Sequence, residues 1–242
     1  MEYKITEHDG FKVYEFDLEG NRAYVYAPNT PAKGKPWVLK TEYFWAFPEV
    51  QNALLKKGWH LAHVANDTRW FCEADNKRRA KLCEFLISEF SLNEKCVLEG
   101  MSCGGMQAVY FGAEYPQFVK GMYLDAPVMN LLSCPFGVGR SPFDSVEEFI
   151  NATGITLKDL INYRNHPIDR VEDLIKNNIP VFLVAGDSDT TVPYDENGAL
   201  LAQKYRNAGA PLIEVIKAGC EHHPHSLNDN TPIIEWAEKL YE

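Results

Sequence analysis

No stretch of this 242-residue chain approaches the ~20 consecutive apolar residues that a membrane-spanning helix needs. Basic residues are in the minority: 24 Lys and Arg stand against 34 Asp and Glu, giving a formal charge of -10 and a sequence pI of about 5.2. Such a surface repels phosphate backbones and anionic lipid headgroups, so neither nucleic acid nor a membrane is expected as a partner. The start, Met1-Glu2-Tyr3-Lys4-Ile5, lacks a charged-then-apolar leader pattern. A leader already cleaved would leave the same sequence. The six cysteines (Cys72, Cys83, Cys96, Cys103, Cys134 and Cys220) show no C-x-x-C pairing, which argues against a disulfide framework. They fit reduced thiols in a cytoplasmic protein. Internal repeats, low-complexity tracts and linkers are also missing. With 45% hydrophobic residues, the chain reads as one domain over 1–242.

What is present is an alternation of strands and helices. Eight strand-like runs stand out: Lys12 to Leu18, Arg22 to Ala27, Trp37 to Lys40, His60 to Ala65, Cys96 to Leu98, Gly121 to Leu124, Val181 to Ala185 and Leu212 to Lys217. Glu19-Gly20-Asn21 joins the first two as a hairpin. Helical spacing follows elsewhere, in Glu49 to Lys57 ahead of Gly58, and in Leu82, Phe85, Leu86 and Phe90 with Asp75 as the N-cap. Two later helices are marked by Leu200, Leu201 and Tyr205, and by Ile233, Trp236, Ala237 and Leu240. The pattern predicts an α/β fold: an eight-stranded, mostly parallel sheet with helices on both faces and antiparallel strands at one edge. One segment, 128–178, breaks the rhythm. It has turns and three short helical patterns (Val146 to Asn151, Leu157 to Tyr163, Val171 to Lys176) but no strand. A helical insertion after the sixth strand reads either as a cap over a pocket or as a decorated crossover.

The chemistry centres on Gly100-Met101-Ser102-Cys103-Gly104. A buried strand precedes it and a helix pattern, Gly105 to Phe111, follows. G-x-S-x-G in that context is a nucleophile elbow, a tight turn that lifts the serine hydroxyl clear of the backbone. The helix start behind it offers unpaired N–H groups to a developing oxyanion. A serine hydroxyl needs a base, and the base an orienting acid. The next-to-last strand runs into Gly186-Asp187-Ser188-Asp189, and the last into Gly219-Cys220-Glu221-His222-His223-Pro224-His225. Nucleophile, acid and base thus occur in order, each past the C-terminal end of a strand.

At these motifs the chain resembles the α/β-hydrolase superfamily, in its serine esterase and prolyl-oligopeptidase-like branch. The resemblance rests on Gly100 to Gly105, on Gly186-x-x-Asp189-x-x-Val192-Pro193 and on Gly219-x-x-His222. It implies Ser102 as nucleophile, Asp189 as acid and His222 as base. It also implies an oxyanion hole from the backbone N–H of Cys103 and a second N–H in Thr41-Glu42-Tyr43-Phe44, which aligns as Tyr43. Thr41-Glu42 stands where many relatives have His-Gly, and Glu221 replaces a common glycine. His223 and His225 therefore remain rivals for the base, and Asp187 and Asp125 for the acid.

Other features have two readings each. Glu221, His222, His223 and His225 could ligate zinc, but no second ligand cluster at helical spacing supports it, so no metal and no organic cofactor is expected. Cys103 is either a reactive thiol at a helix start or a small space-filling neighbour. His60 and His63 read as core. Trp45, Phe47, Trp70 and Phe71 follow strand ends and either line a pocket or fill the core. Phe136, Phe143, Phe149 and Tyr163 would form the apolar underside of a cap. The expected function is hydrolysis of a carboxylic ester through an acyl-enzyme, on an acylated carbohydrate or another small ester. The alternatives are a serine peptidase, disfavoured here because no large extra domain accompanies the motifs, and a catalytically silent binding protein of the same fold.

Overall fold

The computed structural model describes residues 2–142 and 145–242. A nine-stranded sheet runs through it in the order β1-β2-β3-β5-β4-β6-β7-β8-β9. The strands are β1 (Lys4–His8), β2 (Phe11–Leu18), β3 (Asn21–Ala27), β4 (Trp37–Lys40), β5 (His60–Val64), β6 (Cys96–Met101), β7 (Val119–Asp125), β8 (Val181–Gly186) and β9 (Leu212–Lys217). The first three pair antiparallel with one another, and β3 pairs antiparallel with β5. All pairings from β5 through β4 to β9 are parallel. The eight expected strands are all there. The ninth, β1, escaped the sequence pattern because it is exposed along its whole length and has no buried face to create alternation. Glu19 and Gly20 both take positive φ, as the two-residue turn between β2 and β3 demands.

Strands β4, β5, β6 and β8 are buried at every position, because helices cover both faces. On one face, α2 (Glu73–Phe90), α3 (Cys103–Glu114), α6 (Val171–Lys176) and α7 (Gly198–Ala208) pack on Val25, Leu39, Leu98, Met122 and Leu183. On the other, α1 (Glu49–Lys56) and α8 (Thr231–Lys239) pack on Val38, Val97, Tyr123 and Phe182. Each such fully buried side chain contributes roughly 1.5–3 kcal/mol. The N-cap of α2 is Cys72, whose sulfur accepts the Asp75 N–H. Asp75, the expected cap, sits instead in the first turn, where its carboxylate accepts the Asp67 N–H and pairs with Arg78. That long-range use of the carboxylate is invisible to local spacing.

Segment 128–178 contains α4 (Val146–Thr153), α5 (Leu157–Leu160), a 3-10 turn at Pro167–Arg170 and α6. Among its described residues there is no strand. Helix α6 is the crossover between β7 and β8, with Val171 and Leu174 in the main core. The remainder builds a third cluster, in which Phe149, Leu131, Cys134 and Leu160 meet Trp70, Cys103, Met106 and Tyr110.

His60 and His63 are buried in β5, and His63 Nδ1–H donates to the Lys40 carbonyl at 2.8 Å. Burial pulls both imidazoles down to about 4. Such groups take their protons in the unfolded chain first, so they destabilise the fold as pH falls from 6.5 toward 4. The urea midpoint should drop across that window. In His60→Gln the slope of stability against pH should become shallower there, and an unchanged slope would mean that His60 titrates normally in the fold.

Candidate active site

Strand β6 ends at Met101 and α3 begins at Cys103, so Ser102 alone makes the turn. Its backbone adopts φ 53° and ψ -121°, a strained region for a residue with a Cβ. The turn survives because its neighbours are glycines. A Cβ on Gly100 would meet the Gly104 carbonyl oxygen at 2.5 Å, and one on Gly105 would meet Pro127 Cβ at 2.4 Å. Thr41, at the end of β4, braces the same turn, its hydroxyl donating to the Gly104 carbonyl at 2.7 Å.

Ser102 Oγ lies 3.1 Å from His222 Nε2, and His222 Nδ1 lies 2.7 Å from Asp189 Oδ2. A carboxylate only accepts, so Nδ1 carries the proton and Nε2 is left to accept from the serine. Asp189 Oδ1 accepts the Thr191 and Val192 N–H groups at 2.9 and 2.8 Å, which holds the carboxylate still. The other candidates have different partners. Asp187 Oδ1 accepts the Gly219 N–H at 2.7 Å, tying the loop after β8 to the loop after β9. Asp125, at the end of β7, holds His225 Nδ1 at 2.8 Å and also accepts the Ser226 N–H and the Tyr123 hydroxyl. His223 is exposed and stacks on Phe47. Partial burial, with His222 and His225 beside it, lowers the His223 pKa.

These residues open on a cavity of about 320 Å³ lined by Tyr43, Phe47, Arg69, Ser102, Cys134, Val192 and all three histidines, among others. Tyr43 has positive φ, and its N–H donates to Glu42 Oε1 at 3.1 Å. The N–H expected in the oxyanion hole thus starts out bound to a carboxylate. The Tyr43 side chain packs in the third cluster with Cys103, next to Ser102, and burial raises its pKa well above normal.

One expectation needs correcting. The aromatic side chains of the insertion do not form the cavity's underside: Phe136, Phe149 and Tyr163 belong to the third core cluster, and only Cys134 of the segment's described residues lines the cavity. Phe143 lies outside the described residues. Spacing alone does not say toward which neighbour an apolar residue turns. Of the strand-end aromatics, Phe47 lines the cavity, Trp70 and Phe71 join the third cluster, and Trp45 is largely exposed. Arg69 was missed. Its guanidinium reaches Glu148 and Ser145 of the insertion, and its place just past the end of β5 was the available signal.

The model of the prolyl oligopeptidase family matches residues 74–242, well over half of the chain. The chain belongs to this family. It has the α/β-hydrolase fold. No curated protein matches the sequence. Among solved structures, a puromycin-hydrolyzing peptidase from Mycobacterium tuberculosis is similar at 15% identity and a TM-score of 0.73, over 95% of this chain and 38% of that one. A putative dipeptidyl aminopeptidase IV from Bacteroides ovatus gives 14% and 0.69, over 99% and 35%. Est1E from Butyrivibrio proteoclasticus gives 15% and 0.62, over 99% of this chain and 97% of that one. The chain therefore spans little more than a third of those peptidases and nearly all of Est1E. No helix among the described residues is long and apolar enough to cross a membrane.

Burial raises the Cys103 thiol to about 11, so at pH 8 it is protonated and poorly nucleophilic. Iodoacetamide should leave Cys103 unmodified in the native protein and alkylate it after unfolding, as read by peptide mass spectrometry. Rapid native alkylation would restore the reactive-thiol reading.

The glycines also make a prediction. Gly100→Ala and Gly105→Ala should each destabilise the fold by at least ~1–3 kcal/mol, the usual cost of forcing extra atoms into a packed site. Gly154 caps α4 at φ 71° with open space around it, so Gly154→Ala should cost only about 1 kcal/mol. Denaturant melts would test the ordering.

Proposed function

We propose that the chain hydrolyses a carboxylic ester through an acyl-enzyme, with Ser102 as nucleophile, His222 as base and Asp189 as orienting acid. The observation that carries this reading is the unbroken hydrogen-bond chain from Ser102 Oγ through His222 to Asp189, at 3.1 and 2.7 Å, opening on the cavity. His222 Nε2 takes the serine proton as Oγ attacks the ester carbonyl, and Asp189 stabilises the resulting imidazolium. The Cys103 N–H, at the unpaired start of α3, faces the developing oxyanion. Tyr43 supplies the second donor, through its N–H once Glu42 releases it or through its phenol. His222 then returns its proton to the leaving alcohol and activates the water that frees the acid.

Ester is favoured over peptide by the cavity's charge. Among the described residues, Arg69 is its one permanently charged lining group. Arg69 is paired with Glu148, and no Asp or Glu is among the described lining residues to hold the free ammonium of a peptide N-terminus. The peptidase reading keeps its support from the family and from the peptidases of similar fold. Aryl acetates, acetylated and feruloylated sugars, and aminoacyl anilides, compared side by side, separate the two. Turnover confined to the anilides would overturn the ester reading.

Ser102→Ala should abolish both turnover and labelling by a fluorophosphonate probe while the melting curve stays in place. His222→Ala should lose several orders of magnitude in kcat as well, and Asp189→Asn somewhat less. Activity in Ser102→Ala within about tenfold of the parent would remove Ser102 from its role. Tyr43→Phe keeps the backbone N–H. A loss of ~10²-fold or more in kcat would assign the second donor to the phenol, and near-parent kcat would assign it to the N–H.

A further inference from the structure

The base loop presents three imidazoles to one cavity. The rings of His222, His223 and His225 form a triangle with centroids 4.8, 4.9 and 5.0 Å apart. One nitrogen from each falls within 4.8 Å of the other two. A tetrahedral Zn²⁺ bound at 2.0–2.1 Å by three imidazoles needs its nitrogens about 3.4 Å apart and its ring centroids about 5 Å apart. The centroid spacing already fits. The remaining approach of the nitrogens is a matter of ring rotation, which for the exposed His223 means tilting off its stack on Phe47.

Two of the three rings are also fixed as metal-site histidines usually are. His222 Nδ1 is held by Asp189 at 2.7 Å and His225 Nδ1 by Asp125 at 2.8 Å. A carboxylate on one ring nitrogen sets the tautomer, orients the ring and leaves the opposite lone pair more basic. Both Nε2 atoms therefore carry lone pairs, and both residues line the cavity. The Asp125–His225 pair is buried on both sides and has no part in the hydrolytic steps above. Asp125 is itself held by the Ser226 N–H and the Tyr123 hydroxyl, so the pair is built and rigid.

We propose that His222, His223 and His225 form a binding site for Zn²⁺, with water in the fourth position, and that the bound ion switches hydrolysis off. Each imidazole gives one lone pair, and no proton need leave because Nε2 of His222 and of His225 is already unprotonated. The ion uses the His222 lone pair that would otherwise accept the Ser102 proton. Zinc is thus an inhibitor that competes with catalysis, distinct from a catalytic cofactor. The inhibition rests on the proposed role of His222, whereas the binding does not.

The test begins with Zn²⁺ titrated calorimetrically into the metal-free full chain and into Ser102→Ala. Both should bind one ion, which keeps the binding result independent of whether Ser102 is the nucleophile. His223→Ala should weaken binding at least tenfold. Asp125→Asn should weaken it about 10–100-fold, the usual loss on removing such a carboxylate partner, and a melting curve checks that this variant is folded. Co²⁺ in place of zinc should give the visible absorption of a tetrahedral site, lost in His223→Ala. In the parent, Zn²⁺ should slow fluorophosphonate labelling, with recovery on adding a chelator. Asp67, Cys72 and Asp75 form the rival cluster. Binding lost in Cys72→Ala but kept at parental strength in His223→Ala would overturn the proposal, as would no binding at all. Binding at the histidines with undiminished labelling would overturn the inhibition.

Discussion

The backbone at Ser102 is the constraint on which the rest of the site depends. Its left-handed φ costs of order 1–3 kcal/mol and persists only where the surroundings over-determine it. They do so here. The Ser102 N–H donates to the Asp125 carbonyl at 2.9 Å, and the Ser102 carbonyl accepts from Gly105 at 3.0 Å and Val128 at 3.1 Å. These bonds lock the elbow to the end of β7 and to the start of the insertion. Positive φ at Tyr43, Phe47, Ala126 and Ser226 puts further strain into the loops at the same edge of the sheet.

Below the elbow lies a dry polar layer. Lys40 and Glu99 face each other across β4 and β6, with Nζ 3.3 Å from Oε1 and both side chains essentially inaccessible. Gln51 of α1 donates to the same carboxylate oxygen at 2.8 Å. Burial raises the Glu99 pKa, and Lys40 and Gln51 oppose that rise. The Thr41 N–H donates to the Glu99 carbonyl at 3.0 Å, so β4 and β6 are cross-linked three residues ahead of Ser102. Thr41 thus gives a structural reason for the departure from His-Gly: its hydroxyl reaches back to the elbow.

Sequence was most informative where one residue's neighbours along the chain decide its geometry. A fully buried strand followed at once by glycines and a helix left little freedom at Ser102. The same holds for the turns after β8 and β9, where Asp189 and His222 were expected and where the structure brings them to one hydrogen-bond chain. Contacts between distant segments were not legible. The Asp125–His225 bond joins residues 100 positions apart, and nothing local marks Asp125 as its partner. Asp75 looked like a cap because its long-range partners, Asp67 and Arg78, could not be seen. The insertion's aromatic residues carried no directional signal: Phe149 turned to Trp70, at 5.2 Å between ring centroids.

The distance along the chain between Ser102 and His222, 120 residues, has a bearing on how the protein acquires its chemistry. The base loop hangs from β9, the outermost strand of the parallel half, and β9 pairs only with β8. The contact between the base loop and the elbow spans far more chain than the β8–β9 pairing itself, and loop-closure entropy weighs most on the longest closures. The elbow, built from adjacent segments, can be in place while His222 is still unanchored. Docking of the edge strand therefore completes the hydrogen-bond chain from Ser102 through His222 to Asp189.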